Sequence, residues 1–133
     1  MKTFKLTIST PIGKNFEVEN VTMLNARVLE GQIGILANHA PLISSLKISE
    51  FQIIMEDGLE KIGVVHGGIF SVKNNEVSIL TTEYHFDDEI DIEKTQKELE
   101  EIEEQFQDDV KPSEQTSLNN RHIYAELKLK IAK

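Results

Sequence analysis

Proton transfer and metal binding draw first on histidine, and this chain has four, at positions 39, 66, 85 and 122. No two stand four residues apart, so the spacing of a helical metal pair is absent. Scattered imidazoles of this kind ordinarily serve structural or surface roles. The competing possibility is that His39, His66 and His85 converge in an enclosed polar pocket, which would make the protein a stand-alone small β-barrel ligand-binding protein or an enzyme. A second candidate is the acidic run Glu98-Leu99-Glu100-Glu101-Ile102-Glu103-Glu104. A catalytic carboxylate pair needs one member shielded from water so that its pKa rises. A run on a helix surface offers no shielding and reads as a solvated face. Gly67-Gly68 fits neither G-x-G-x-x-G nor the phosphate-loop pattern, and reads as a bulge or a close approach of backbone between strands. With no cysteine in the chain, disulfides, zinc ribbons, iron–sulfur clusters and thiol catalysis are excluded together. The residues point to a non-catalytic interaction protein, with no cofactor and no metal.

The elements that would position these residues divide by charge. Over 133 residues, 14 Lys and Arg face 23 Asp and Glu, a net charge of −9, the wrong sign for gripping phosphate backbones. With six Phe, two Tyr and no Trp, a stacking platform for single-stranded nucleic acid is poorly supplied, so no nucleic-acid partner is expected. No apolar run approaches the roughly 18 residues of a spanning helix. Met1 to Lys5 lead straight into alternating residues without a signal-peptide core, which gives the expectation of a soluble protein of a reducing compartment. Residues 1–86 carry a net −2, residues 87–109 a net −10 and residues 110–133 a net +3. The spacing of apolar residues changes at the same boundary, giving two expected domains, 1–86 and 87–133.

Before residue 87 the period is two. Phe4, Leu6 and Ile8 alternate with Lys5, Thr7 and Ser9, as in a half-buried strand. Asp57-Gly58 and Asn74-Asn75 each separate two apolar runs, and both dipeptides suit the positive φ of hairpin turns. Ile33, Ile35, Leu42-Ile43, Leu46 and Ile48 read as short apolar pieces between breakers. Phe51 to Met55 and Ile62 to Val65 flank the first turn, and Ile69 to Val72 and Val77 to Leu80 the second, the pattern of a small antiparallel sandwich or barrel. After Asp87 the period becomes helical. Asp88 or Asp91 is placed to cap, and Ile92, Leu99, Ile102 and Phe106 form a narrow apolar stripe. Lys111-Pro112-Ser113 then reads as a break and Ser113 to Asn120 as polar connector. Tyr124, Leu127 and Ile131 mark a second amphipathic helix.

Two segments resemble a known family. Glu30-Gly31-Gln32-Ile33-Gly34-Ile35-Leu36-Ala37-Asn38-His39-Ala40-Pro41-Leu42 is similar to the E-G-x-x-G-x-L-x-x-H-A-P-L signature of the epsilon subunit of F-type ATP synthases. Val65-His66-Gly67-Gly68-Ile69-Phe70-Ser71-Val72, followed by Asn75, Val77, Ile79 and Leu80, resembles that family's Gly-Gly strand junction. The opening Leu6-Thr7-Ile8-Ser9-Thr10-Pro11, the Ile90-Asp91-Ile92-Glu93 stretch and Ala125-Glu126-Leu127 extend the likeness along the chain.

The resemblance implies a ten-stranded β-sandwich followed by an antiparallel two-helix hairpin. It implies a non-catalytic rotor subunit of the central stalk that couples c-ring rotation to ATP synthesis. The sandwich would bind the gamma subunit and the c-ring, and the hairpin would regulate ATP hydrolysis by extending towards the alpha and beta subunits. Such a subunit lies peripherally at the cytoplasmic face of the bacterial plasma membrane. By the same resemblance Glu30, Gln32, Asn38 and His39 lie in loops facing the c-ring. Arg121, Lys128 and Lys130, with Lys133, are the basic residues available for regulation. Asp91 and Lys94 occupy half of the family's nucleotide motif. The chain departs from the family at several points: Gln32 stands for a common acid, Lys94 for an Arg, and the second helix lacks the expected Arg residues. Lys keeps the charge but not the planar two-pronged donor, so weak ATP binding or none is expected.

Overall fold

The computed structural model describes residues 2–108 and 110–132. Seven strands come first: β1 (Phe4–Ser9), β2 (Phe16–Val28), β3 (Gly31–Leu36), β4 (Leu42–Met55), β5 (Glu60–Lys73), β6 (Glu76–Leu80) and β7 (Tyr84–Phe86). A single 3-10 turn at Asp87–Glu89 leads to helices α1 (Ile92–Gln107) and α2 (Pro112–Ile131). Pairing sorts the strands into two layers. One holds β7, the first half of β5, the second halves of β4 and β2, and β3. The other holds the first half of β4, the second half of β5, β6, β1 and the first half of β2. Because β2, β4 and β5 serve both layers, seven continuous strands make the ten segments of the sandwich that the resemblance implied.

The long strands explain why the sequence looks more broken than the fold is. In β4, Leu46 is buried at one phase of the alternation, whereas Ser49, Phe51 and Ile53 are buried at the other. A strand that passes from one layer to the next must switch its inward face, and the switch imitates a gap. In β5 the change falls at Gly67 and Gly68, with φ of 73° and 126°, a backbone region that Cβ-bearing residues avoid. A Cβ on Gly68 would lie 2.0 Å from the Leu80 carbonyl oxygen, so the close approach of backbone is what this glycine provides. Both expected hairpin turns are present, with Gly58 at φ 90° and Asn74 and Asn75 at 52° and 61°.

Side chains from both layers form one core, including Leu6, Leu24, Ile53, Phe70 and Ile79. Full burial of side chains this size contributes about 1.5–3 kcal/mol each. The hairpin has its own smaller core, Ile102, Leu118 and Ala125, supported by Leu99, Phe106 and Val110. One expectation fails here: Ser113 to Asn120 is not connector but the first half of α2. Pro112 opens the helix at its first turn, where its missing N–H costs nothing. Gln115 Nε2 donates to Asn119 Oδ1 at 3.2 Å, and Leu118 anchors this polar stretch to α1. The link between the helices is only the short segment 108–111.

Candidate functional site

The four loop residues singled out from the sequence fall into two pairs. Asn38 and His39 sit in the β3–β4 loop, where Asn38 adopts φ 62°. Its N–H donates to Asn75 Oδ1 at 2.8 Å, while Asn75 Nδ2 donates to the Thr3 carbonyl at 2.7 Å. Three chain segments are thereby tied at one end of the sandwich. The His39 ring turns inward on its own loop, with Nδ1 2.7 Å from the Ala40 carbonyl oxygen. Since a carbonyl only accepts, this nitrogen carries the proton. Glu30 and Gln32 lie at the opposite end of β3, six residues of strand away, or roughly 20 Å at strand rise. Glu30 accepts from Ser44 Oγ at 3.1 Å, and Gln32 pairs with Arg27 of β2.

On the outer face of the second layer, Ile43, Ile69 and Leu80 are 77%, 51% and 55% exposed. Ile69 and Leu80 are direct cross-strand partners, and Ser45 faces Ile69 from β4. This apolar strip among hydroxyl side chains begins where the His39 loop ends.

The hairpin docks on the sandwich through α2, which meets β4 and β5. Tyr124 is the buried contact. Its hydroxyl is 2.8 Å from His85 Nδ1, and its ring lies edge-on to His66 with centroids 5.0 Å apart. Burial raises the Tyr124 pKa, as do Glu83 and Glu89. Burial is also the main cause lowering His85, helped by Lys128 and Lys14 and opposed by Glu83 and Glu89. Both groups are therefore neutral near pH 7, and the phenol donates to the imidazole. Lys128, itself buried, reaches Glu98 of α1 at 3.1 Å, and Lys130 reaches Glu50 of β4 at 2.7 Å. Arg121 is exposed and makes no ion pair among the described residues. Lys133 lies outside them. His122 bonds within the hairpin, 2.7 Å from Glu126 and 3.5 Å from Glu103.

Two of the scattered histidines thus meet on Tyr124, but His39 lies elsewhere. The enclosed three-histidine pocket of the enzyme alternative does not form, and no cluster of three metal-ligating side chains occurs among the described residues. Asp91 caps α1, accepting from the Lys94 N–H at 3.0 Å, so its carboxylate is engaged in holding the helix start. The small cavity between the helices and the sandwich, about 70 Å³, is lined by His66, Arg121 and Lys128 and touches neither Asp91 nor Lys94. The docking role of His66, His85 and Glu50, and the Glu98–Lys128 pair between the helices, were not legible in the sequence, because each partner is distant in the chain. The one local signal was Tyr124 on an apolar stripe.

The fold and the match to known proteins define the class as a subunit of an F-type ATP synthase. Residues 3–86 match the family model described as the beta-sandwich domain of the ATP synthase delta/epsilon chain. A relative described as "ATP synthase epsilon chain, sodium ion specific", from Acetobacterium woodii, is 35% identical over 81% of this chain and 80% of its own. An "ATP synthase epsilon chain" from Pelotomaculum thermopropionicum is 41% identical over 71% and 69%. A chain of the Euglena gracilis mitochondrial ATP synthase, solved as an OSCP/F1/c-ring assembly, superimposes with a TM-score of 0.75 at 26% identity. That likeness covers 98% of this chain and 81% of that one. The chain belongs to the ATP synthase delta/epsilon family, as an epsilon-type subunit of the central stalk. No helix among the described residues is long and apolar enough to cross a membrane.

Proposed function

We propose that the protein is a non-catalytic rotor subunit whose sandwich seats on the gamma subunit and the c-ring and helps couple ring rotation to ATP synthesis. It would act peripherally at the cytoplasmic face of a bacterial plasma membrane. The observation that carries this reading is the exposed strip Ile43–Ile69–Leu80 on a stiff two-layer body, joined to the tied loops of Asn38 and Asn75. Exposed apolar patches rimmed by polar side chains mark protein–protein contacts, and a body with a net charge of −2 over 1–86 suits an apolar, shape-driven one. Glu30 with Gln32, at the start of β3, and Asn38 with His39, in the β3–β4 loop, would meet the c-ring at two separated places rather than as one patch. Replacing Ile69 by Glu should abolish co-purification with gamma from solubilised membranes while leaving the chain folded. Undiminished co-purification would overturn the reading.

The hairpin supports a weak regulatory role. Of the basic residues available to an extended hairpin reaching the alpha and beta subunits, Lys130 is engaged with Glu50 of the sandwich and Lys128 with Glu98 inside the hairpin. The segment 87–109, with its net −10, would accompany them. Like charges brought together at an interface cost several kcal/mol, against about 0–1 kcal/mol for each exposed pair gained. Reconstituted ATP hydrolysis should therefore rise only slightly when the full chain is replaced by residues 1–86. A large activation would show that the basic helix prevails. ATP itself should bind weakly or not at all, since Asp91 is committed to capping and Lys94 stands alone. Tight calorimetric binding that disappears in Asp91→Ala would refute this.

A further inference from the structure

A groove of about 520 Å³ lies between α2 and strands β2 and β4, and Tyr124 is not among its walls. It arises from a parting of the strands. Asn25 pairs with Gln52 and Val28 with Leu46, so β4 spends six residues where β2 spends three. Between those pairs β4 has no ladder partner on β2, and the gap is roofed by Ile123 and Leu127 of α2, with Ile48 and Ile62 among its other walls. The volume is in the range of small-molecule sites.

The charge at this gap is opposite to that of the protein. Arg27 and Lys47 are the next residues beyond the Val28–Leu46 pair on either strand, and both line the groove. Both are exposed, and the ion pairs among the described residues include neither. Like charges on neighbouring strands disfavour one another, and an anion between them would relieve this. The third cation at the groove, Lys130, is neutralised by Glu50 at 2.7 Å, the one acid in the lining. In a chain of net −9, two unpartnered cations stand over isoleucine and leucine side chains.

We propose that this groove binds an amphipathic carboxylate, a single acyl chain with an anionic head. The head would be gripped by Arg27 and Lys47 and the chain laid along Ile48, Ile62, Ile123 and Leu127. Arg is suited to the head because its guanidinium offers a carboxylate two parallel donors. The ligand would touch α2 and the sandwich together, so it would also favour the docked hairpin.

Calorimetry of the full chain with dodecanoate, below the concentration at which it forms micelles, tests it. One saturable site is expected. Dodecyl maltoside and dodecyltrimethylammonium, with the same chain and a neutral or cationic head, should bind at least about tenfold more weakly. The double variant Arg27→Gln/Lys47→Gln changes only exposed side chains and should lose a similar factor for dodecanoate alone. Ile123→Asn should weaken binding from the helix side, and amide shifts should move along β2, β4 and α2. Absence of saturation, equal binding of the three amphiphiles, or an unaffected double variant would each overturn the proposal.

Discussion

The sandwich and the hairpin bury apolar side chains by different means. In the sandwich, side chains from both layers interlock in one core, and Phe70, Leu6, Ile8 and Leu24 are wholly excluded from water. In the hairpin three buried residues and the Lys128–Glu98 pair hold two helices together, and the polar attachment to the sandwich is one buried tyrosine and one ion pair, Lys130 to Glu50. Packed cores tolerate little displacement, whereas a unit held by few contacts opens at lower free energy. Rigidity and adjustability are thus built into separate parts of one short chain.

The largest expected effect lies in the sandwich. Phe70→Ala should lower its unfolding free energy by about 3–5 kcal/mol, read as an earlier single transition in urea by circular dichroism. Ile102→Ala comes next, at about 2 kcal/mol or more, but it should act on the hairpin alone. Hydrogen exchange should quicken across α1 and α2 while the β4–β5 amides keep their protection. If Ile102→Ala exposes the β4–β5 amides as much as the helices, the two regions are one cooperative unit and the contrast fails.

Local signals made much of this fold legible. Alternation marked β1, the Asp57-Gly58 and Asn74-Asn75 dipeptides marked two turns, and the narrow stripe with Asp91 before it marked α1. Legibility failed where a segment's role depends on what lies across the fold. The phase switch within β4 looked like a break, because alternation says which residues share a face but not when the strand changes layers. The first half of α2 looked like connector because only Leu118 of that stretch is buried. At the docking surface, Tyr124 carried a stripe signal, but His85 lies 39 residues away and nothing in its own neighbourhood announced the pairing. The exposed strip of Ile43, Ile69 and Leu80 was equally hidden, since an outward isoleucine in a strand reads as core until its layer is known.

The contact between the two regions gives a smaller and sharper test. Tyr124→Phe keeps the ring against His66 and removes only the hydroxyl that donates to His85. A hydrogen bond of this kind is worth about 0.5–1.5 kcal/mol net. The expected result is faster exchange of α2 amides, with the β4–β5 amides still protected and an unchanged urea midpoint for the sandwich. A sandwich midpoint that falls with Tyr124→Phe would mean the hairpin contributes to global stability.

The smallest effect is the dependence of docking on pH. His85 is neutral in the docked state because burial first, and then Lys128 of α2 and Lys14 of the β1–β2 loop, lower its pKa, against the pull of Glu83 and Glu89. When α2 lifts away, most of the burial and the Lys128 charge go with it, and the ring returns towards the ordinary value of about 6.5. The undocked state then binds the proton more readily than the docked one, so docking weakens as pH falls. The contribution is complete above about pH 6.5 and declines below it, levelling off once the pH passes the lowered docked value. Protection of α2 amides, measured between neutral and mildly acid pH, should therefore fall in acid, after correction for intrinsic exchange. His85→Gln removes the titrating group and should flatten that part of the profile. His66→Gln, at the edge of the same tyrosine, should leave the dependence in place. If the acid loss persists in His85→Gln, a different group governs docking. If protection rises in acid, the sign assigned to His85 is wrong.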